Sequence, residues 1–202
     1  MRTVFVDSEL GYGIAVAPKT GTLSIIRMLF EMRCGHPPEP GETEWLEELG
    51  MAHPASEAFA AGIPMIAVHR DPYERIRSAY QHRVVREGEA PARSFRAFCE
   101  RLDYYRGYPS IAWHTDAQTH WLGDSAEPYA AVLTLEQLDQ LPAVVSGLIG
   151  RPVPAMGRAH RMDEKPEWEE GLQGMLAPWV AGDLRAGWNG KTSRGLPEGA
   201  AR

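Results

Sequence analysis

Three short apolar runs constrain the fold of this chain more than anything else in it. Residues 12–17 (YGIAVA), 63–69 (IPMIAVH) and 130–135 (AAVLTL) are nearly continuous in their hydrophobicity, as strands buried on both faces are. Each is followed by a segment with helical spacing. In residues 22–33, Ile25, Leu29 and Met32 share one face, with Ile26 and Phe30 beside them. Residues 73–86 keep Ile76, Ala79 and Tyr80 together, after Asp71 as an N-cap and Pro72 at the first helical position. Residues 94–104 read as another helix with Phe95, Phe98 and Leu102 inward. Residues 135–149 read as one or two helices interrupted at Pro142, and residues 171–188 as a closing helix. Strands alternating with helices predict an α/β fold with a mainly parallel central sheet flanked by helices. In such sheets ligands bind beyond the carboxyl ends of the strands. Two places qualify: the loop after Ala17 and the turn after His69.

Composition narrows the class. At 202 residues the chain fits a single domain, read here as residues 1–188. Residues 189–202 (NGKTSRGLPEGAAR) read as a flexible tail, and residues 34–43 (CGHPPEPGET) as a loop. With 44% hydrophobic and 24% charged residues, disorder is excluded. A net charge of −6 argues against a nucleic-acid surface covering the protein, though not against a small basic pocket. No apolar run reaches the roughly 18 residues of a membrane span, and the N-terminus lacks the apolar core of a secretory signal. A cytoplasmic location is therefore expected. Cys34 and Cys99 belong to no metal-type pair and read as two buried thiols. Of 21 basic residues only three are lysines: Lys19, Lys165 and Lys191.

Lys19 stands in the first of the two places, Pro18-Lys19-Thr20-Gly21-Thr22-Leu23-Ser24. A buried strand runs into a loop with a Lys, a Gly and three hydroxyls, then into a helix start. Gly21 lets backbone approach a ligand, and the helix N-terminus attracts an anion. The segment is not G-x-x-x-x-G-K-[ST], the nucleotide-triphosphate loop. Gly190-Lys191-Thr192 mimics its end, but Arg185 occupies the first glycine position and no strand precedes it. The second place is Arg70-Asp71-Pro72-Tyr73-Glu74-Arg75-Ile76-Arg77-Ser78-Ala79-Tyr80. Arg70 at a strand end and Ser78 two turns into the helix can converge on one phosphate. The plainer alternative is a capped helix with Arg70 paired to Glu74.

Together these segments resemble the nucleotide-binding pair of the sulfotransferases that use 3′-phosphoadenosine 5′-phosphosulfate (PAPS). The resemblance is to the branch with carbohydrate and heparan sulfate O-sulfotransferases and small bacterial members. There a P-K-[TS]-G-[ST]-x-S loop holds the 5′-phosphosulfate, and an R-[DN]-P-[YF]-x-R-x-x-S-x-[YF] element holds the 3′-phosphate. The resemblance implies a P-loop-like three-layer sandwich. It also implies PAPS as co-substrate, adenosine 3′,5′-bisphosphate as product and no metal. Lys19, Thr20, Gly21, Thr22, Leu23, Ser24, Arg70 and Ser78 are the implied nucleotide-binding residues. Further likenesses are thinner. His53, 17 residues before Arg70, stands where the family often has a His facing the acceptor. Trp113-His114 with Gln118 is similar to an H-W-x-P-Q region, with Trp and His exchanged and Ala117 in place of Pro. His160 stands in an H-x-N-like segment with Met162 for Asn.

The expected activity is transfer of a sulfuryl group from PAPS to a hydroxyl or amine of a small-molecule or carbohydrate acceptor. Lys19 stabilises the leaving oxygen and His53 acts as base, with His114 or Glu57 as other choices. His53, Trp113, His114 and Gln118 are expected near the acceptor. The chain is short for that family, so a homodimer completing the acceptor site is one expectation. Two rival classes remain: a nucleotide or small-molecule kinase, and a nucleotide-binding relative without catalysis.

Overall fold

The structure is a computed structural model that describes residues 4–39, 55–157 and 165–196. It is a mixed α/β fold with helices around a four-stranded sheet. The strands are β1 (Val4–Asp7), β2 (Tyr12–Val16), β3 (Met65–His69) and β4 (Ala131–Thr134), side by side in that order. β2, β3 and β4 are parallel, with Val16 beside Val68 and His69 beside Thr134. β1 joins antiparallel to β2, Val4 opposite Ala15. Residues 1–10 carried no strand in the sequence reading. The hairpin forms because the Asp7 carboxylate accepts the N–H groups of Glu9 and Leu10, and the Gly11 N–H closes on the Asp7 carbonyl.

Successive strand residues point to opposite faces. Ile14, Val16, Ile66, Val68 and Leu133 pack under α1 (Thr22–Cys34) and, later in the chain, α8 (Leu141–Ile149). Ala15, Met65, Ala67 and Val132 face Ala58 of α2 (Ala55–Ala60), Leu122 of α7 (Thr119–Leu122) and the fully buried Trp188. Each large aliphatic side chain sealed there contributes about 1.5–3 kcal/mol relative to exposure.

A third core lies away from the sheet. It gathers α3 (Pro72–Ala79), α4 (Phe95–Glu100), α5 (Leu102–Tyr105), α6 (Pro109–Thr115) and α9 (Leu172–Arg185). Ile76, Phe98, Leu102, Ile111, Leu176 and Val180 interlock in it. The segment expected as one helix over residues 73–86 divides. After Ala79 it widens into a π-helical turn, Tyr80–Arg86, which keeps Tyr80 and Val84 in the core. The helix expected over 94–104 breaks at Arg101 (φ −127°), between α4 and α5. Residues 135–149 form a 3-10 turn, Leu135–Gln140, then α8 with Pro142 in its first turn.

Two other expectations are corrected. Cys34 is exposed, because it ends α1 just before Gly35, while Cys99 is buried; both are free thiols. The described part of the expected tail, residues 189–196, is pinned. Val132 and Arg194 exchange backbone hydrogen bonds at 2.8 Å, and Arg194 also donates to the carbonyls of Ala126 and Tyr129. Gly190 lies so close to Asp71 that a Cβ there would stand 2.4 Å from the Asp71 nitrogen. Among the described residues no helix is long and apolar enough to cross a membrane.

Candidate functional site

The two segments singled out in the sequence leave the carboxyl ends of adjacent parallel strands. The β2 strand ends in a tight loop. Lys19 takes a left-handed conformation, φ 71°, unusual for a residue with a Cβ. Thr20 is spent on the loop itself: its hydroxyl donates to the Ala17 carbonyl at 2.6 Å. Gly21 (φ 86°) precedes α1 and gives it no side-chain cap. A Cβ at Gly21 would stand 2.4 Å from Leu138 Cδ2, so backbone freedom and close packing both require glycine. Thr22 Oγ1 is buried without a hydrogen-bond partner among the described residues. Ser24 is buried, and Leu23 is 46% exposed.

The β3 strand ends differently. Arg70 is buried, and its backbone is gripped by Gln118, whose amide accepts from the Arg70 N–H at 3.0 Å and donates to the Arg70 carbonyl at 2.8 Å. The same amide donates to the Trp188 carbonyl at 3.2 Å. Gln118 is thus a strut under Arg70, not the acceptor-facing group expected from sequence. Asp71 caps α3 by accepting from the Glu74 N–H at 3.0 Å. The Arg70 guanidinium donates through Nη1 to the Lys19 carbonyl at 3.3 Å, lies 3.8 Å from Glu74 through Nη2, and leaves Nε without a partner. Glu74 is a hub: it accepts from Arg77 at 2.6 Å, Trp168 at 2.8 Å and Lys165 at 3.4 Å. Burial works to raise the Glu74 pKa, but the Trp168 and Arg77 hydrogen bonds outweigh it and hold it below the usual range. The plainer expectation, a capped helix with Arg70 beside Glu74, is present, and the Lys19 contact is added to it. Ser78 is buried on the same helix, and its hydroxyl makes no hydrogen bond among the described residues.

Around Lys19 the structure collects charges that the sequence reading missed. Burial, then the charges of Arg83, Arg70 and Arg86, push the Lys19 pKa down to about 8, with Glu87 opposing. Arg83 and Arg86 come from the π-helical turn, as does His82. For His82 and Arg86 the signal was their i+4 spacing from Ser78 along one helical sequence; Arg83 lies outside that series. Among the described residues, Lys19 has no salt-bridge partner within 4.0 Å. Arg83 does have one, Glu89 at 3.0 Å.

His114 lies on α6 beside this group. Its Nδ1 lies 2.7 Å from the Ser110 carbonyl and 3.2 Å from Arg83 Nε, and its Nε2 lies 3.2 Å from Arg83 Nη2. Burial, together with Arg83 and Lys19, lowers its pKa to about 4 against the Ser110 hydrogen bond. Both ring nitrogens are therefore committed. Trp113 turns to Trp121, ring centroids 4.1 Å apart, away from any contact with Lys19 or Arg70 among those observed. α6 is held to α3 by Arg75, fully buried, which donates to the carbonyls of His114 at 2.9 Å and of Asp116. His53, Glu57's side chain and His160 lie outside the described residues. Among the described residues no group of His, Cys, Asp and Glu is placed to hold a metal ion.

The arrangement can bind an anion between the open N-terminus of α1 and the half-buried Lys19 ammonium, with the Arg70 guanidinium alongside. No protein-family model matches the chain, and neither the curated proteins nor the solved structures contain a match to it.

Proposed function

We propose that the protein is a sulfotransferase, moving a sulfuryl group from PAPS to a hydroxyl or amine of a small-molecule or carbohydrate acceptor. We take its α/β fold to be of the P-loop-like three-layer kind. The observation that carries this is the 3.3 Å hydrogen bond from Arg70 Nη1 to the Lys19 carbonyl. It brings together two segments 51 residues apart, each suited to one end of a nucleotide bisphosphate.

In this reading the 5′-phosphosulfate lies at the N-terminus of α1, where Gly21 leaves the first-turn N–H groups without a side-chain cap. Lys19 meets the bridging oxygen that gains charge as the S–O bond breaks. Arg70 and Ser78 take the 3′-phosphate, with Glu74 holding the guanidinium until it arrives. The sulfuryl end carries less charge than a triphosphate, so a fixed cation suffices for the leaving oxygen.

Titration calorimetry with adenosine 3′,5′-bisphosphate tests this. Binding to the wild-type chain, lost or strongly weakened in Lys19→Ala and in Arg70→Ala, is expected. Unchanged binding in both variants overturns the site. Stronger thermal stabilisation by ATP with Mg²⁺ than by adenosine 3′,5′-bisphosphate points instead to a kinase.

A further inference from the structure

Of the three lysines, Lys19 serves the β2–α1 loop and Lys191 is exposed on the pinned C-terminal segment. Lys165 is placed differently. It opens the short segment 165–168 (KPEW) that leads toward α9 and is fastened to α3. Arg77 Nη1 donates to the Pro166 carbonyl at 3.3 Å, and the Arg77 guanidinium carbon lies 5.4 Å from the centre of the Trp168 ring. Trp168 also meets Tyr73 and Phe95 edge-on, ring centroids 6.3 Å and 5.3 Å apart. Held in this way, the segment brings two donors to α3, the Lys165 ammonium and the Trp168 indole N–H.

Both converge on Glu74 with two guanidinium groups. Glu74 Oε2 lies 2.6 Å from Arg77 Nη2, 3.4 Å from Lys165 Nζ and 3.8 Å from Arg70 Nη2, and Oε1 accepts from Trp168 Nε1 at 2.8 Å. Among the described residues no second carboxylate lies within 4.0 Å of Arg70, Arg77 or Lys165. Three cations thus surround one carboxylate, and two positive charges are left uncancelled. Like charges so close repel one another. The crowding is felt at Lys165, where burial and then Arg70 lower the pKa and Glu74 opposes. The cluster is open to solvent, with the Glu74 side chain 29% exposed and that of Lys165 28%. Arg70 joins it to the β2–α1 loop, because the same guanidinium reaches the Lys19 carbonyl through Nη1 at 3.3 Å. Ser78 follows Glu74 by four residues and shares its face of α3.

We propose that Arg77, Lys165 and the Trp168 indole N–H complete, with Arg70, the subsite for the 3′-phosphate, and that the Glu74 carboxylate is a stand-in which this phosphate displaces. The proposal deepens the sulfotransferase reading and rests on it. A phosphate monoester carries about −1.5 to −2 at neutral pH and three acceptor oxygens, against the single charge and two oxygens of the carboxylate. It therefore cancels the excess that Glu74 leaves. Guanidinium forks and an ammonium are the donors that such an oxygen cluster engages. The ligand needs no new opening, since Glu74 stands in the first turn of α3 and rotation of its own side chain carries the carboxylate into water. A nucleotide with a bare 3′-hydroxyl brings no charge to displace Glu74, so the exchange itself selects the bisphosphate.

Titration calorimetry tests this by comparing adenosine 3′,5′-bisphosphate with adenosine 5′-monophosphate on the full chain. Wild type is expected to prefer the bisphosphate. Lys165→Met is expected to weaken bisphosphate binding by about 10–100-fold, with monophosphate binding unchanged. Trp168→Phe, which keeps the ring and loses the N–H, should weaken it by about 3–10-fold. Lys165→Arg keeps the charge and should keep the preference. Bisphosphate affinity unchanged in both Lys165→Met and Trp168→Phe, or equal weakening of the two nucleotides, overturns the subsite. The Trp168 indole N–H resonance, assigned by its loss in Trp168→Phe, gives a second readout by NMR. It is expected to shift with the bisphosphate and to stay in place with the monophosphate; a resonance unmoved at saturating bisphosphate overturns the subsite. The two levels separate on the wild type. Binding of neither nucleotide overturns the sulfotransferase reading and the subsite with it, whereas a bisphosphate preference that survives Lys165→Met and Trp168→Phe overturns the subsite alone.

Discussion

The two strand ends share a plan, strand then loop then helix, yet they treat charge in opposite ways. At the end of β2 the helix start is left without a side-chain cap and Lys19 has no salt-bridge partner among the described residues. At the end of β3 the helix is capped by Asp71 and Arg70 is held by Glu74, Gln118 and the Lys19 carbonyl. In the proposed reading, the uncompensated cation meets the reacting group, where its field is strongest, and the cation with a weak internal partner is the one that a ligand phosphate engages. On that reading, substitutions at the two ends should separate accordingly.

The largest effect is expected at the uncompensated end. Lys19→Ala should lower kcat by about 10²–10³-fold, the loss of one preorganised charge at a leaving oxygen. Its folded stability should not fall, because the side chain it removes is repelled by Arg83, Arg70 and Arg86. A drop in melting temperature matching the drop in rate would show Lys19 to be a structural residue.

Next is the braced end. Gln118→Ala leaves the Arg70 N–H and carbonyl buried without partners, and should cost about 2–3 kcal/mol in denaturant unfolding. Retention of stability with loss of turnover alone would return Gln118 to the acceptor site.

The two ends should also part with pH. In the proposed reading Lys19 binds an anion only when protonated, and its surroundings set its pKa at about 8. Adenosine 3′,5′-bisphosphate affinity should therefore fall above that pH by up to about tenfold per unit, while Lys19→Arg flattens the profile. Folding stability without added nucleotide should move the other way. A lysine with its folded pKa below the unfolded value is a cost at neutral pH, relieved as pH rises through about 8 toward 10.5. Calorimetry and thermal melts over the same pH series check both signs.

The smallest effect is expected from Glu74→Gln. Removing that charge frees Arg70, Arg77 and Lys165 for a phosphate, so nucleotide affinity should rise by about 1 kcal/mol or less, with a small loss of stability. Weaker binding would mean that Glu74 orients Arg70 more than it neutralises it.

The legible parts of this fold were those set by local pattern. The parallel strands, α1 and the Asp71-Pro72 start of α3 came from apolar runs, 3.6-residue spacing and cap chemistry. The hairpin strand β1 was missed because four residues, VFVD, carry too little pattern and are stabilised by pairing with β2. The π-helical turn has no composition of its own; its sequence reads as α-helix, and packing of Tyr80 and Val84 decides the matter. Residues 189–196 read as loose from their glycines and small polar groups, yet their anchors, His69 and Val132, lie far back in the chain. Within the site, Lys19 and Arg70 were visible as motif residues. The cations around Lys19 were not, because their proximity is a property of three elements meeting.

One buried side chain sets the mechanics of what has been described. Arg75 clasps the last carbonyls of α6 from α3, so the helix bearing His114 and the helix bearing Ser78 travel as one block. Gln118 fastens the Arg70 turn to the same block. The Arg70–Lys19 hydrogen bond ties the β2–α1 loop to that same block.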